Sequence, residues 1–121
     1  MTVRMERSLC AVLPLVLKGR WYRMIASGEK RAEYRDASDY WLTRIRRVMR
    51  AERPVVEFRL GYARDAPRMA FRILLVAPHL EHLGADEITP IEERWGRPTT
   101  PHVEILLGDR VEWASGGPAR G

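Results

Sequence analysis

Between Leu13 and Arg35 the chain changes its apolar rhythm twice, and these changes narrow what it can fold into. Leu13-Pro14-Leu15-Val16-Leu17-Lys18 is a short apolar run with β-branched content and reads as a strand. Pro14 has no amide hydrogen to give a neighbour, so this strand belongs at a sheet edge or carries its proline near the start. Gly19-Arg20 then opens a helix whose apolar residues Trp21, Met24 and Ile25 stand at i, i+3 and i+4. Ser27-Gly28 stops it, with Gly28 as a left-handed cap. From Lys30 the period returns to two, with Ala32 and Tyr34 on one face and Arg31, Glu33 and Arg35 on the other. Strict alternation puts Lys30 on the Ala32 face, but a residue just past a glycine cap need not be regular and can turn toward Glu33.

The remaining chain alternates helix and strand signals. Asp36-Ala37-Ser38-Asp39 offers N-cap oxygens to a helix of about a dozen residues ending near Ala51. Its apolar stripe is Trp41, Leu42, Ile45, Val48 and Met49, and Arg44, Arg46, Arg47 and Arg50 fill the other side. Pro54 ends that region, and Val55 to Tyr62 and Arg68 to Val76 alternate as two strands of a hairpin. Ile73-Leu74-Leu75-Val76, apolar on both faces, predicts a central position. Thr89-Pro90-Ile91-Glu92 has capping-box spacing with proline at the first helical position. His102 to Leu107 reads as a strand, Gly108-Asp109 as a turn, and Arg110 to Trp113 as a closing strand. Together these elements predict an α+β fold built on a small barrel or strongly curved mixed sheet.

At 121 residues the chain forms one domain, 1–121, with its core over about 13–113 and a small-residue tail at 114–121 that reads as flexible. There is no run of about 18 apolar residues, so no membrane span is expected. Arg4 and Arg7 before Leu9-Cys10-Ala11-Val12-Leu13 imitate a secretory leader, but Pro14, Lys18 and the lack of a small-x-small site argue against one. A lone cysteine, Cys10, excludes an internal disulfide and fits a cytoplasmic location. The net charge of +5 favours an acidic partner such as nucleic acid. Nineteen of the twenty-one basic residues are arginine, a skew that coding bias explains, so the two lysines, Lys18 and Lys30, stand out as amines whose pKa can be tuned.

The run Trp21-x-x-Met24-Ile25-x-x-Gly28-x-Lys30-x-x-Glu33-x-Arg35 resembles the ASCH family of the PUA-like superfamily, marked by G-x-K-x-x-E-x-R after the first helix. Gly28, Lys30, Glu33 and Arg35 match all four positions. Phe58-Arg59-Leu60-Gly61-Tyr62 and Ile105-Leu106-Leu107-Gly108 are similar to the family's mid-domain and closing strands, so the resemblance covers roughly residues 13 to 113. It implies a small PUA-like mixed β-barrel with two to three flanking helices and a cleft holding the motif. It also implies RNA binding or processing, with single-strand ribonucleases among similar proteins and a subgroup that hydrolyses acylated cytidine nucleosides. In that subgroup the motif lysine works with a threonine where this chain has Glu33, and with a more distant glutamate, so the threonine nucleophile is missing.

The residues themselves support several chemistries. Lys30, Arg31 and Arg35 are donors for phosphate, Arg35 through a bidentate fork, and Tyr34 and Tyr62 are candidate faces for an unpaired base, as are Tyr22 and Tyr40. Trp21 and Trp41 lie on apolar stripes and read as core. For an enzyme, Glu33 is the candidate base and Lys30 or Arg35 the stabiliser of developing charge, in a ribonuclease or a nucleoside amidohydrolase. Equally, Glu33 and Arg35 can satisfy one another as a half-buried ion pair. The arginine-rich helix reads either as a solvated surface, as a face that tracks a phosphate backbone, or as a protein-docking surface. His79-Leu80-Glu81-His82 lacks a third ligand, so no metal is expected, and no cofactor is implied. RNA or a nucleotide is therefore the expected partner, and the oligomeric state is left open.

Overall fold

The computed structural model describes residues 1–114. Six strands, β1 (Thr2–Met5), β2 (Ala11–Leu17), β3 (Ala32–Asp36), β4 (Pro54–Leu60), β5 (Arg68–His79) and β6 (His102–Trp113), form one mixed sheet. Three α-helices, α1 (Gly19–Ala26), α2 (Asp39–Met49) and α3 (Pro90–Arg94), and two short 3-10 turns complete the α+β fold. The local signals act as their chemistry dictates. Gly28 takes φ +84, Ser38 caps α2 by accepting from the Trp41 amide, and Thr89 and Glu92 close a capping box at α3.

β6 is the trunk of the sheet. One edge pairs antiparallel with β5, and the other is shared between β3, antiparallel along Leu106 to His102, and β1, parallel along Arg110 to Trp113. The expected turn at Gly108-Asp109 is absent, and one strand of 12 residues runs straight through it. Gly108 leaves room there for the Leu74 side chain, which a Cβ would meet at 2.9 Å. Opposite, two register shifts between Phe71 and Leu75 let β5 follow the long strand. The first strand, absent from the reading of the sequence, places Thr2–Met5 in the sheet. Ala114 donates its amide to the Met5 carbonyl at 2.8 Å, so the first residue of the expected tail is tied down, and the rest of that tail lies outside the described residues.

The sheet order β1-β6-β5-β4-β2 leaves β2 at an edge, which is where Pro14 is tolerated. No backbone ladder joins β2 to β3 among the described residues, so the sheet curves without closing into a barrel. A side chain crosses the gap instead: Arg35 Nη2 of β3 donates to the Val16 carbonyl of β2 at 3.1 Å.

Leu13, Leu15, Leu17, Val56, Phe58, Ile105 and their neighbours face α1 and α2 in the main core. Val55, Ala70, Val111 and Trp113 form a smaller core on the opposite face with Val3, Met5 and Val12. β5 is central in sheet order, as its apolar run predicts, but β4 pairs with it only as far as Arg72. Beyond that point Leu74 and Leu75 are 66% and 46% exposed, contrary to burial on both faces. The smaller core contains a buried carboxylate, Glu57, held by Arg7 at 2.7 and 3.2 Å and by the Trp113 indole at 3.1 Å. Replacing Glu57 with alanine strands both donors, and because Arg7 is a third exposed the expected loss is about 2–3 kcal/mol rather than that of a fully buried pair. Urea denaturation measures it, and a loss below about 0.5 kcal/mol would show that the bonds add nothing in solution.

Candidate functional site

The site begins with the helix stop. Past the left-handed Gly28, the Lys30 amide returns to the Met24 carbonyl at 3.0 Å, so the chain folds back beneath α1 before β3 begins at Ala32. That fold-back turns the Lys30 side chain inward, where its Nζ lies 4.3 Å from the Trp21 ring centroid and 5.5 Å from that of Tyr34. It also brings the amine to Glu33, 3.1 Å from Oε1. The Tyr34 amide donates to the same oxygen at 3.0 Å, and Arg35 Nη2 donates to Oε2 at 3.0 Å. Lys30 is 2% exposed and Glu33 5%.

This is a closed triad with one more positive than negative charge. Burial pushes the Lys30 ammonium below the usual lysine range, while the charge and hydrogen bond of Glu33 pull it back up. Arg35 is less enclosed: its guanidinium lies 5.1 Å from the Trp41 ring centroid, and its Nε is buried without a hydrogen-bond partner. Arg20 lies over the Trp21 ring at 4.6 Å from its centroid, on the indole that also carries the Lys30 amine, and its charge acts on that amine. Glu33 is thus occupied on both oxygens by protein donors, which leaves it poorly placed to take a proton from a substrate.

The other sequence candidates separate. Arg31 precedes β3, so it does not join Arg35 on one strand face; it is exposed on a cavity of about 280 Å³ that it lines together with Gly28 and Lys30 of the motif and with Asp109 and Arg110. Tyr34 is buried, with its ring edge on His102 and its hydroxyl unpartnered, and it offers no open face for a base. Burial pushes the Tyr34 hydroxyl pKa well up. Tyr62 is 85% exposed on the loop after β4, at the end of the sheet where Leu60 pairs with Leu17. Two residues outside the motif do present ring surface: Tyr40, with the Arg44 guanidinium 3.4 Å from its centroid, and Trp41, edge-on to Tyr40 at 4.9 Å. They line a groove of about 230 Å³ along β2 with Arg44 and Arg47.

No family model, curated protein or solved structure matches the chain. Among the described residues no cluster suited to a metal ion is found, and no helix is long and apolar enough to cross a membrane.

Sequence reasoning missed a second polar cluster. His79 of β5 and His102 of β6 are cross-strand partners with rings stacked at 5.0 Å, and Arg97 reaches both. The two histidines stand 23 positions apart, so only strand register reveals them.

Removing the carboxylate from the triad leaves the buried Lys30 ammonium and the part-buried Arg35 guanidinium without their shared anion. Glu33→Ala is therefore expected to cost about 3–5 kcal/mol, whereas Lys30→Met, which fits an apolar stem beneath Trp21 and leaves Arg35 on Glu33, should cost much less. Chemical denaturation of the two variants checks the order, and equal losses would show that the carboxylate is not the keystone.

Proposed function

We propose that the chain is an ASCH-type domain that binds single-stranded RNA or a nucleotide, and that it binds rather than cleaves. The observation that carries this reading is the succession of arginine-aromatic pairs beside the triad: Arg20 on Trp21, Arg35 on Trp41 and Arg44 on Tyr40. Single strands are held by such surfaces, where cations follow the phosphates and ring or guanidinium planes accept splayed bases. The surplus positive charge of the triad supports an anionic ligand, and the groove along β2 extends the path to Arg47. In this reading Lys30 and Glu33 are positioning residues that hold Arg35. Cleavage has less support, because both Glu33 oxygens are already bonded to protein donors.

Fluorescence anisotropy with a labelled single-stranded RNA over a range of salt concentrations tests this. Tyr40 is 55% exposed, so Tyr40→Ala should leave the fold intact and weaken binding by about 1–3 kcal/mol through lost stacking. Arg44→Ala should reduce the slope of log affinity against log salt by about one phosphate contact. Unchanged affinity and slope in both variants would overturn the proposal.

A further inference from the structure

The connection between β5 and β6, residues 80–101, lies against the motif site and is held almost wholly by polar contacts. None of its residues is fully buried, and neither its 3-10 turn nor α3 contributes to the core. Segments attached in this way open at low free-energy cost. Its contacts with the motif region are specific. Arg94 pairs with Glu29 in the α1–β3 turn, and Gly96, at φ +82, lies so close to Trp21 that a Cβ would come within 2.8 Å of the ring. The connection thus covers the edge of the indole whose face rests on the Lys30 amine.

Its anchor on the other side is Arg97. Nη1 donates to Glu92 at 2.6 Å, Nε to His102 Nε2 at 3.3 Å, and Nη2 to His79 Nδ1 at 3.2 Å. The partners fix the tautomers. His102 Nδ1 lies 2.7 Å from the Thr100 carbonyl, which can only accept, so Nδ1 carries the hydrogen and Nε2 is the lone pair facing Arg97. His79 likewise gives its Nε2 hydrogen to Glu104 at 3.3 Å and turns its Nδ1 lone pair to Arg97. A proton added to either ring must go to the nitrogen that faces the guanidinium. An acceptor then becomes a second donor, and two positive groups meet at hydrogen-bond distance.

We propose that this connection is an acid-released lid over the Trp21 side of the motif site, latched by the donation of Arg97 to the paired imidazoles. The groups facing those rings are Arg97 and Glu92 from the connection, Tyr34 and Asp36 from β3, and Glu104 from β6. Glu104 favours a charged His102, but His79 and Arg97 oppose it. Burial lowers the pKa of His102 below its ordinary value. The sign follows: the closed form prefers neutral His102, so its stabilisation is present above about pH 6.5 and is lost as pH falls through the lower value of the closed form. As regulation of the site, the proposal rests on the RNA-binding reading. The movement itself does not.

Hydrogen-deuterium exchange, corrected for the intrinsic pH dependence of exchange, tests the latch without any ligand. Going from about pH 7.5 to about pH 5.5 should lower protection of the 83–101 amides by up to about tenfold while β2, β4 and β6 stay protected. His102→Gln should flatten that response. Because His102 is fully buried, so that its replacement also tests the fold, Arg97→Gln serves as the second test, with the segment open at both pH values. Unchanged protection in the wild type, an equal loss across the whole sheet, or a wild-type pH response in Arg97→Gln would overturn the lid. In parallel, single-stranded RNA should bind more tightly at the lower pH in the wild type and equally at both in Arg97→Gln. Absence of RNA binding at either pH, with the exchange response intact, overturns the RNA reading and leaves the lid standing.

Discussion

The Glu33 carboxylate is the interaction on which the rest of this architecture depends. One buried anion engages an amine from the turn after α1, the backbone of its own strand and the guanidinium of Arg35. Desolvating these charges is costly, and the cost is offset only because the donors meet the carboxylate at hydrogen-bond distance. The outcome is mechanical as well as electrostatic. Arg35, fixed by Glu33, reaches the Val16 carbonyl and ties the β3 edge to the β2 edge where no ladder does so. Among the described residues, the two sheet edges along this seam are joined by a side chain and not by a backbone ladder.

Each position of the G-x-K-x-x-E-x-R pattern has a physical reason in this frame. Glycine supplies the left-handed cap, and the lysine two residues later is turned inward by the fold-back to Met24. The glutamate then meets it from the first turn of regular strand, and the arginine two residues on shares the glutamate's face and reaches across the seam. The pattern works first as a joint between a helix, a strand and an opposite sheet edge. In the proposed reading its bearing on a ligand would be indirect, through the guanidinium it holds against Trp41.

What was legible in the sequence follows from the range of the forces involved. Caps, turns and periodicity act over a few residues, so α1 with its glycine stop, the Ser38 cap, the β4–β5 hairpin and the Thr89 capping box could all be read directly. Features fixed by distant partners could not. The four residues of β1 are too few to show a period, and their parallel partner lies more than a hundred residues away. Gly108 and Asp109 have turn chemistry locally, but the pairing of the residues that flank them, Leu107 with Ile73 and Arg110 with Phe71, carries the strand through. Leu74 and Leu75 read as buried because local apolarity says nothing of where the neighbouring strand ends. Tyr34 is a candidate face for a base by its aromatic ring alone, but its side of the strand is buried against His102.

The arginine content deserves a different reading once partners are known. Arg7 grips Glu57 with two nitrogens, Arg35 divides one nitrogen between a carboxylate and a carbonyl, and Arg97 spends all three of its nitrogens on three side chains. A planar fork makes such contacts and an ammonium does not, so these arginines are structural choices and not simply a surplus from coding bias. Lys30 occupies the complementary niche, where a compact charge rests on an indole face and points at one carboxylate oxygen. Net charge therefore overstates what a polyanion would meet, since Arg7 and Arg97 are already committed inside the protein. Under the proposed reading, the attraction would rest on the exposed Arg20 of α1 and Arg44 and Arg47 of α2, which stand next to Trp21, Tyr40 and Trp41.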